Sequence, residues 1–169
     1  MKTNFTREAE FKLRSMTSLY IVLENGLLLL RRNSGIAKDL YTGSAGGHFE
    51  EYELNDPLAC VLRETYEELG LSCDDLSELT LRYIALRAVQ GEVRQNYYYF
   101  AKLKDPSLAL KLTSNEGELT FAEFGSLRAL PMPFCPKFML AHWLETGRFD
   151  SRLYGGTAEE NDLKFVPML

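Results

Sequence analysis

The sequence predicts one α/β domain in which helices pack on a mixed β-sheet. Three observations predict it. First, the apolar runs Leu19–Leu23 and Leu27–Leu30 flank Glu24-Asn25-Gly26. Asn-Gly between two apolar runs is a hairpin signal, because both residues tolerate positive φ. Second, Asp56-Pro57 opens a helix that runs to Leu69 and stops at Gly70. Asp suits the N-cap, proline the first helical position and glycine the residue just past the end. Third, Leu79–Val89 and Glu92–Leu103 are long extended runs joined by Gln90-Gly91. A length of 169 residues fits a single domain.

The remaining segments follow in order. Residues 33–47 are polar and contain four glycines, which marks a loop. Tyr97-Tyr98-Tyr99-Phe100 suits a strand covered on both faces. Residues 104–117, with Pro106, read as a loop, and Glu118–Phe124 as a short strand. Pro131, Pro133 and Pro136 precede a last helix over 137–146, ended by Gly147. Residues 17–147 form the expected core. The tail from 148 to 169, with Gly155-Gly156, is expected to be irregular.

Nineteen Lys and Arg against 24 Asp and Glu leave a net charge of −5. That argues against a stable nucleic-acid partner, which would call for a basic surface. A small phosphorylated ligand is compatible, because a metal screens phosphates locally. Three cysteines without a CxxC pair point away from a disulfide scaffold or zinc cluster, and towards a reducing compartment. The N-terminal residues have no apolar core of signal-peptide type, and Glu24-Asn25-Gly26 splits the longest apolar stretch. The expectation is a cytoplasmic protein with no membrane segment; a homodimer is compatible with the sequence.

On a helical wheel of residues 56–69, Leu58, Leu62, Thr65 and Leu69 form the stripe expected to meet the sheet. Glu64, Glu67 and Glu68 cluster on a roughly opposite face, at i, i+3 and i+4. Like charges at that spacing repel by ~0.2–0.5 kcal/mol per pair. Such a cluster is often only a solvated face. A hard divalent cation would instead convert the repulsion into binding. Arg63, four residues before Glu67, is placed to hold one carboxylate.

Gly46-Gly47, Glu53 and Arg63-Glu64-x-x-Glu67-Glu68-x-Gly70 fall in one stretch. This resembles the Nudix box, Gly-x5-Glu-x7-Arg-Glu-U-x-Glu-Glu-x-Gly-U with U aliphatic. The resemblance is strong over 46–71 and looser over 17–144. Thr65 stands where an aliphatic residue is usual, and nine residues rather than seven separate Glu53 from Arg63. Pro57 keeps the expected distance to Arg63, so the two extra residues fall in the loop around Leu54-Asn55. Glu50 or Glu51 compete with Glu53 for its place.

The resemblance implies a Nudix-type α/β/α sandwich with a mixed sheet and a catalytic loop–helix–loop. It implies Mg²⁺- or Mn²⁺-dependent hydrolysis of a nucleoside diphosphate linked to another group. Glu64, Glu67, Glu68 and the Gly46 carbonyl would be metal ligands. Glu116, five residues before Phe121, is favoured as the base that activates water; Glu118 and Glu68 compete for that role. Arg32 and His48 are candidates for phosphate contacts, and Phe121 for the nucleoside pocket. Cys60 reads as a packing residue. Downstream signatures of several subgroups are absent. Leu130-Pro131-Met132-Pro133 resembles a segment of MutT-like members, which implies (oxidised) nucleoside triphosphates as substrates. An isomerase on the same fold is disfavoured because the chain has only His48 and His142. A non-catalytic nucleotide-binding or regulatory module is the alternative.

Overall fold

The computed structural model describes residues 12–168. The strands are β1 (Lys12–Leu23), β2 (Gly26–Arg32), β3 (Tyr41–Thr42), β4 (Leu76–Val89), β5 (Glu92–Leu103), β6 (Gly117–Glu123), β7 (Tyr154–Ala158) and β8 (Leu163–Pro167). Two α-helices, α1 (Pro57–Leu69) and α2 (Phe134–Glu145), join them. The eight strands form one sheet in the order β3-β2-β1-β5-β4-β7-β8, with β6 paired to β2. β1 with β5 and β4 with β7 are parallel; the other pairs are antiparallel. The sheet is therefore mixed, with a helix on each face, as an α/β/α sandwich requires.

Two cores follow from strand alternation. Tyr20, Leu27, Leu29, Tyr98 and Phe100 point to the α2 side, where they meet Met139, Leu140 and Trp143. Leu19, Ile21, Leu28, Tyr99 and Ala101 point to the α1 side, where they meet Val61 and Leu69. Consecutive aromatics in β5 thus serve opposite faces, which explains the unbroken run Tyr97–Phe100.

The Asn-Gly hairpin forms as expected, with Leu23 opposite Gly26. β1 and β2 pair only at this end. Further along, the loop after β3 takes the edge of β1. Leu19 N–H donates to the Ala45 carbonyl at 2.7 Å, and Thr17 N–H to that of Gly47 at 2.9 Å. The buried Ser44 Oγ accepts from Ile21 N–H at 3.0 Å and donates to the Leu28 carbonyl. These bonds pin the double glycine beside the sheet.

Helix α1 is capped as its sequence demands. Asp56 accepts from Ala59 N–H, Pro57 opens the first turn, and Gly70 closes the helix with a left-handed φ of 68°. Its buried stripe is Cys60, Val61, Thr65 and Leu69. The expected stripe was wrong at two positions: Leu58 is exposed and Leu62 only partly buried. The contact is centred nearer Val61, and Thr65 is tolerated in it because its hydroxyl bonds back to the Val61 carbonyl at 2.6 Å. Leu54-Asn55 lie in an exposed turn between a short 3₁₀ turn, Glu51–Glu53, and α1.

Other expectations need correction. β1 begins at Lys12, well before Leu19, because parallel pairing with β5 extends through a polar stretch. α2 begins at Phe134, since Pro136 falls within the first turn, where no intrahelical N–H is needed. The tail is not irregular. β7 and β8 form a hairpin that extends the sheet from β4. Gly155-Gly156 reads as a breaker, yet Gly156 sits where a Cβ would press on the Lys164 carbonyl and the Phe165 ring. Among the described residues no helix is long and apolar enough to cross a membrane.

Candidate active site

The glycine loop beside β1 and the C-terminal half of α1, through Glu64 and Glu68, build one wall of a cleft of about 730 Å³. Gly46 has φ 143°, a conformation that L side chains rarely adopt, and a Cβ there would strike the Thr17 carbonyl. At Gly47 a Cβ would strike the Glu64 carboxylate. The two glycines therefore let α1 carboxylates lie directly against backbone. Gly46 N–H donates to Glu68 Oε2 at 3.2 Å.

Arg63 organises the acidic face. Its Nε and Nη2 form a fork on Glu53, at 2.8 and 2.9 Å. Its Nη1 reaches Glu64 at 2.9 Å and Glu67 at 3.1 Å, and Nη2 also donates to the His48 carbonyl at 3.1 Å. Glu53 is 1% exposed. The Arg63 hydrogen bonds hold its carboxyl below the usual range, against the effect of burial. Glu53 also accepts from Glu50 N–H at 2.9 Å. Glu53, rather than Glu50 or Glu51, thus reaches Arg63 despite the longer spacing, because the extra residues bulge outward at Leu54-Asn55.

Glu64 and Glu68 line the cleft, and Glu116 joins them from the residue just before β6. Burial raises the pKa of Glu64. Burial, then the charge of Glu116, raises that of Glu68 to about 8, opposed by the Gly46 N–H. Glu116 also pairs with Arg32, whose buried Nε has no hydrogen-bond partner among the described residues. Glu118 is exposed, in register with Arg31 on β6 and β2, and does not line this cleft. Glu67 is more than half exposed and turned to Arg63, so it stands apart from the other carboxylates.

Among the described residues no three Asp, Glu, His or Cys side chains converge at metal-binding spacing. The donor types nevertheless fit a hard divalent cation: carboxylate oxygens on one helix face beside glycine carbonyls. Glu64, Glu68 and Glu116 crowd like charges into a partly buried space, which calls for a countercharge.

His48 also lies on the cleft wall, where its Nε2 accepts a hydrogen bond from Arg14. Burial, then the charges of Arg14 and Arg94, lowers its pKa and keeps the ring neutral. Phe121 is not brought to this cleft. It is directly opposite Leu28 in the β2–β6 register and lines a separate cavity with Leu28 and Leu119. It shares a face with the cleft residues Leu30 and Arg32 but lies further back along β2, towards Gly26, which puts it in the other cavity. Cys60 is fully buried, donates to the His48 carbonyl and has its pKa raised to about 11 by burial, which leaves it an unreactive packing residue. Three cleft residues carry no motif: Arg14, Arg87 and Arg94. They lie on three strands, and only the sheet register brings them together.

The family model described as NUDIX domain matches residues 12–143. The chain belongs to the Nudix family. Members with hydrolase activity act on pyrophosphate bonds and generally use divalent metals. Solved structures share the fold. The MutT protein of Bacillus halodurans is 21% identical with a TM-score of 0.61, covering 91% of this chain and 97% of that one. A C. elegans Ap4A hydrolase is 16% identical with a TM-score of 0.62, covering 82% and 99%. The Nudix domain of Shewanella oneidensis NrtR, in complex with ADP ribose, is 12% identical with a TM-score of 0.54, covering 83% and 90%. At these identities the likeness is one of fold. Comparison with curated protein sequences gave no significant match.

Proposed function

We propose that this Nudix protein hydrolyses a phosphoanhydride bond in a nucleoside triphosphate or another nucleoside diphosphate derivative, with Mg²⁺ or Mn²⁺ as cofactor. The observation that carries the reading is the gathering of Glu64, Glu68 and Glu116 on one cleft, beside a glycine loop and Arg32. Glu64, Glu68 and the Gly46 carbonyl would hold the metal, and Glu67 would join them by turning from Arg63. When bound, it neutralises phosphate charge and lowers the pKa of an attacking water.

The chain's own groups then divide the work. Glu116 accepts the water proton as the oxygen–phosphorus bond forms and the bridging phosphorus–oxygen bond breaks. Arg32 orients Glu116 through their ion pair, and its buried Nε faces the need for an anionic acceptor. Arg63 positions Glu64 and Glu67. His48, neutral and held by Arg14, contributes a polar edge to the cleft. Glu68, kept protonatable by burial and by Glu116, is the competing base. A narrower reading is a MutT-like enzyme acting on oxidised purine nucleotides. The segment Leu130-Pro131-Met132-Pro133 supports it, since Pro133 borders the cleft.

The test is phosphate or pyrophosphate release from a nucleotide panel, 8-oxo-dGTP included, with Mg²⁺ or Mn²⁺ and identification of the products. Metal-dependent turnover is expected. Nucleotide binding without turnover on any diphosphate would make the protein a binding or regulatory module.

A further inference from the structure

Arg14 on β1 is directly opposite Arg94 on β5, and Arg94 directly opposite Arg87 on β4. Directly paired strand residues share a face, so three guanidinium groups lie in one row across three adjacent strands. Like charges opposite one another destabilise a sheet. All three residues line the cleft. Among the described residues the carboxylate that serves the row is Glu92, 3.9 Å from Arg14 and 3.4 Å from Arg94. Arg87 instead stacks over the Phe134 ring, 4.0 Å from its centroid. Three positive charges against one negative, in a protein of net charge −5, form a local excess that nothing in the fold requires.

The first turn of α2 closes over this row. Phe134 and Cys135 line the same cleft, and the N–H groups of a helix's first turn have no intrahelical acceptor. His48, which lines the same cleft, accepts from Arg14. Asn96, two residues beyond Arg94 on β5, adds an amide to the cleft lining.

The row is set apart from the carboxylates. The glycine loop abuts β1 at Thr17 and Ser18, whereas the row crosses β1 at Arg14. At ~3.3 Å per strand residue and ~4.8 Å between strands, Arg94 and Arg87 lie roughly 10–15 Å from that point. Adjacent phosphates of one polyphosphate chain do not reach so far. A substrate that fills both ends therefore carries an anionic group separate from its anhydride.

We propose that Arg14, Arg87 and Arg94 form a second anion subsite for a phosphomonoester, so that the substrate is a nucleoside diphosphate derivative bearing a further phosphate remote from the bond cleaved. This rests on the hydrolase reading and narrows it: a simple nucleoside triphosphate lacks the remote group. The phosphate belongs either to the ribose or to the group beyond the diphosphate; both present the same dianion.

Binding without turnover tests the subsite independently of the reaction. Calorimetry would compare adenosine 5′-monophosphate with adenosine 2′,5′- and 3′,5′-bisphosphate, and glucose 1-phosphate with glucose 1,6-bisphosphate. The bisphosphate of one series is expected to bind about 10- to 100-fold tighter than its partner, the value of one or two charge-assisted hydrogen bonds. The series that shows the gain identifies which end carries the phosphate. In Arg94→Gln and Arg87→Gln the ratio falls towards one, with circular dichroism unchanged; raised salt also compresses it. Equal affinities within both series, or a ratio that survives both substitutions, overturn the subsite. Metal-dependent turnover of simple nucleotides with no bisphosphate preference would refute the subsite and leave the hydrolase reading standing. Bisphosphate preference without metal-dependent turnover would do the reverse.

Discussion

Substituting Glu53 with Gln separates a structural role for the Glu53–Arg63 pair from a catalytic one. Gln keeps the shape but removes the charge and one acceptor. Two bonds to Arg63, 2.8 and 2.9 Å long, lose their charge assistance. Charged hydrogen bonds contribute ~1.5–3 kcal/mol each, and breaking a buried ion pair costs ~3–5 kcal/mol when the partner is stranded. Here Arg63 is not stranded, because Glu64 and Glu67 still hold Nη1. The expected loss is therefore about 2–3 kcal/mol. For a domain of this length that lowers Tm by roughly 4–12 °C. Thermal unfolding followed by circular dichroism measures it, and a cycle with Arg63→Gln isolates the coupling. The pH dependence carries a sign. The folded pKa of Glu53 lies below its unfolded value, so its contribution is present in full above the unfolded carboxylate pKa of about 4.3 and disappears as pH falls through the folded value. The gap between wild type and Glu53→Gln should be constant near neutrality and close below about pH 4. A Tm change under about 1 °C at pH 7, or a gap that widens in acid, refutes the buried-pair account.

Three further outcomes follow from the same geometry. Glu68→Gln should lower kcat by about 100-fold or more with Mg²⁺, while metal-free Tm holds or rises as repulsion with Glu116 is relieved; steady-state kinetics and a melting curve check both halves. Gly47→Ala should displace the Glu64 carboxylate and lower kcat with little loss of Tm, whereas Gly46→Ala, at a positive φ and against the Thr17 carbonyl, should lower Tm by several degrees; equal effects of the two would contradict the loop geometry. Phe121→Ala should leave KM within about twofold, because the ring faces the other cavity; a large rise in KM would place it back at the substrate.

Local chemistry made much of this legible. The cap, the proline and the closing glycine of α1 act within a few residues, so their pattern can be read directly. The Asn-Gly turn is of the same kind. The acidic face follows from helical periodicity alone. Errors arose where a long-range partner decided the outcome. Parallel pairing with β5 recruited the polar start of β1, and pairing with β4 turned a glycine-bearing tail into a hairpin. The place of Phe121 along β6 was fixed by its register with Leu28, at the end of β2 away from Arg32, not by its distance from Glu116.

The sequence by itself determined the helix, its carboxylates and the family, because these depend on spacing along one short segment. Only the tertiary structure decided that Glu53 reaches Arg63 past an outward bulge, that Glu116 and not Glu118 meets Glu68, and that three arginines 80 residues apart at their extremes stand in one row. Strand register sets those meetings, and it is fixed by the hydrogen-bonded sheet as a whole rather than by any residue's neighbours in the chain.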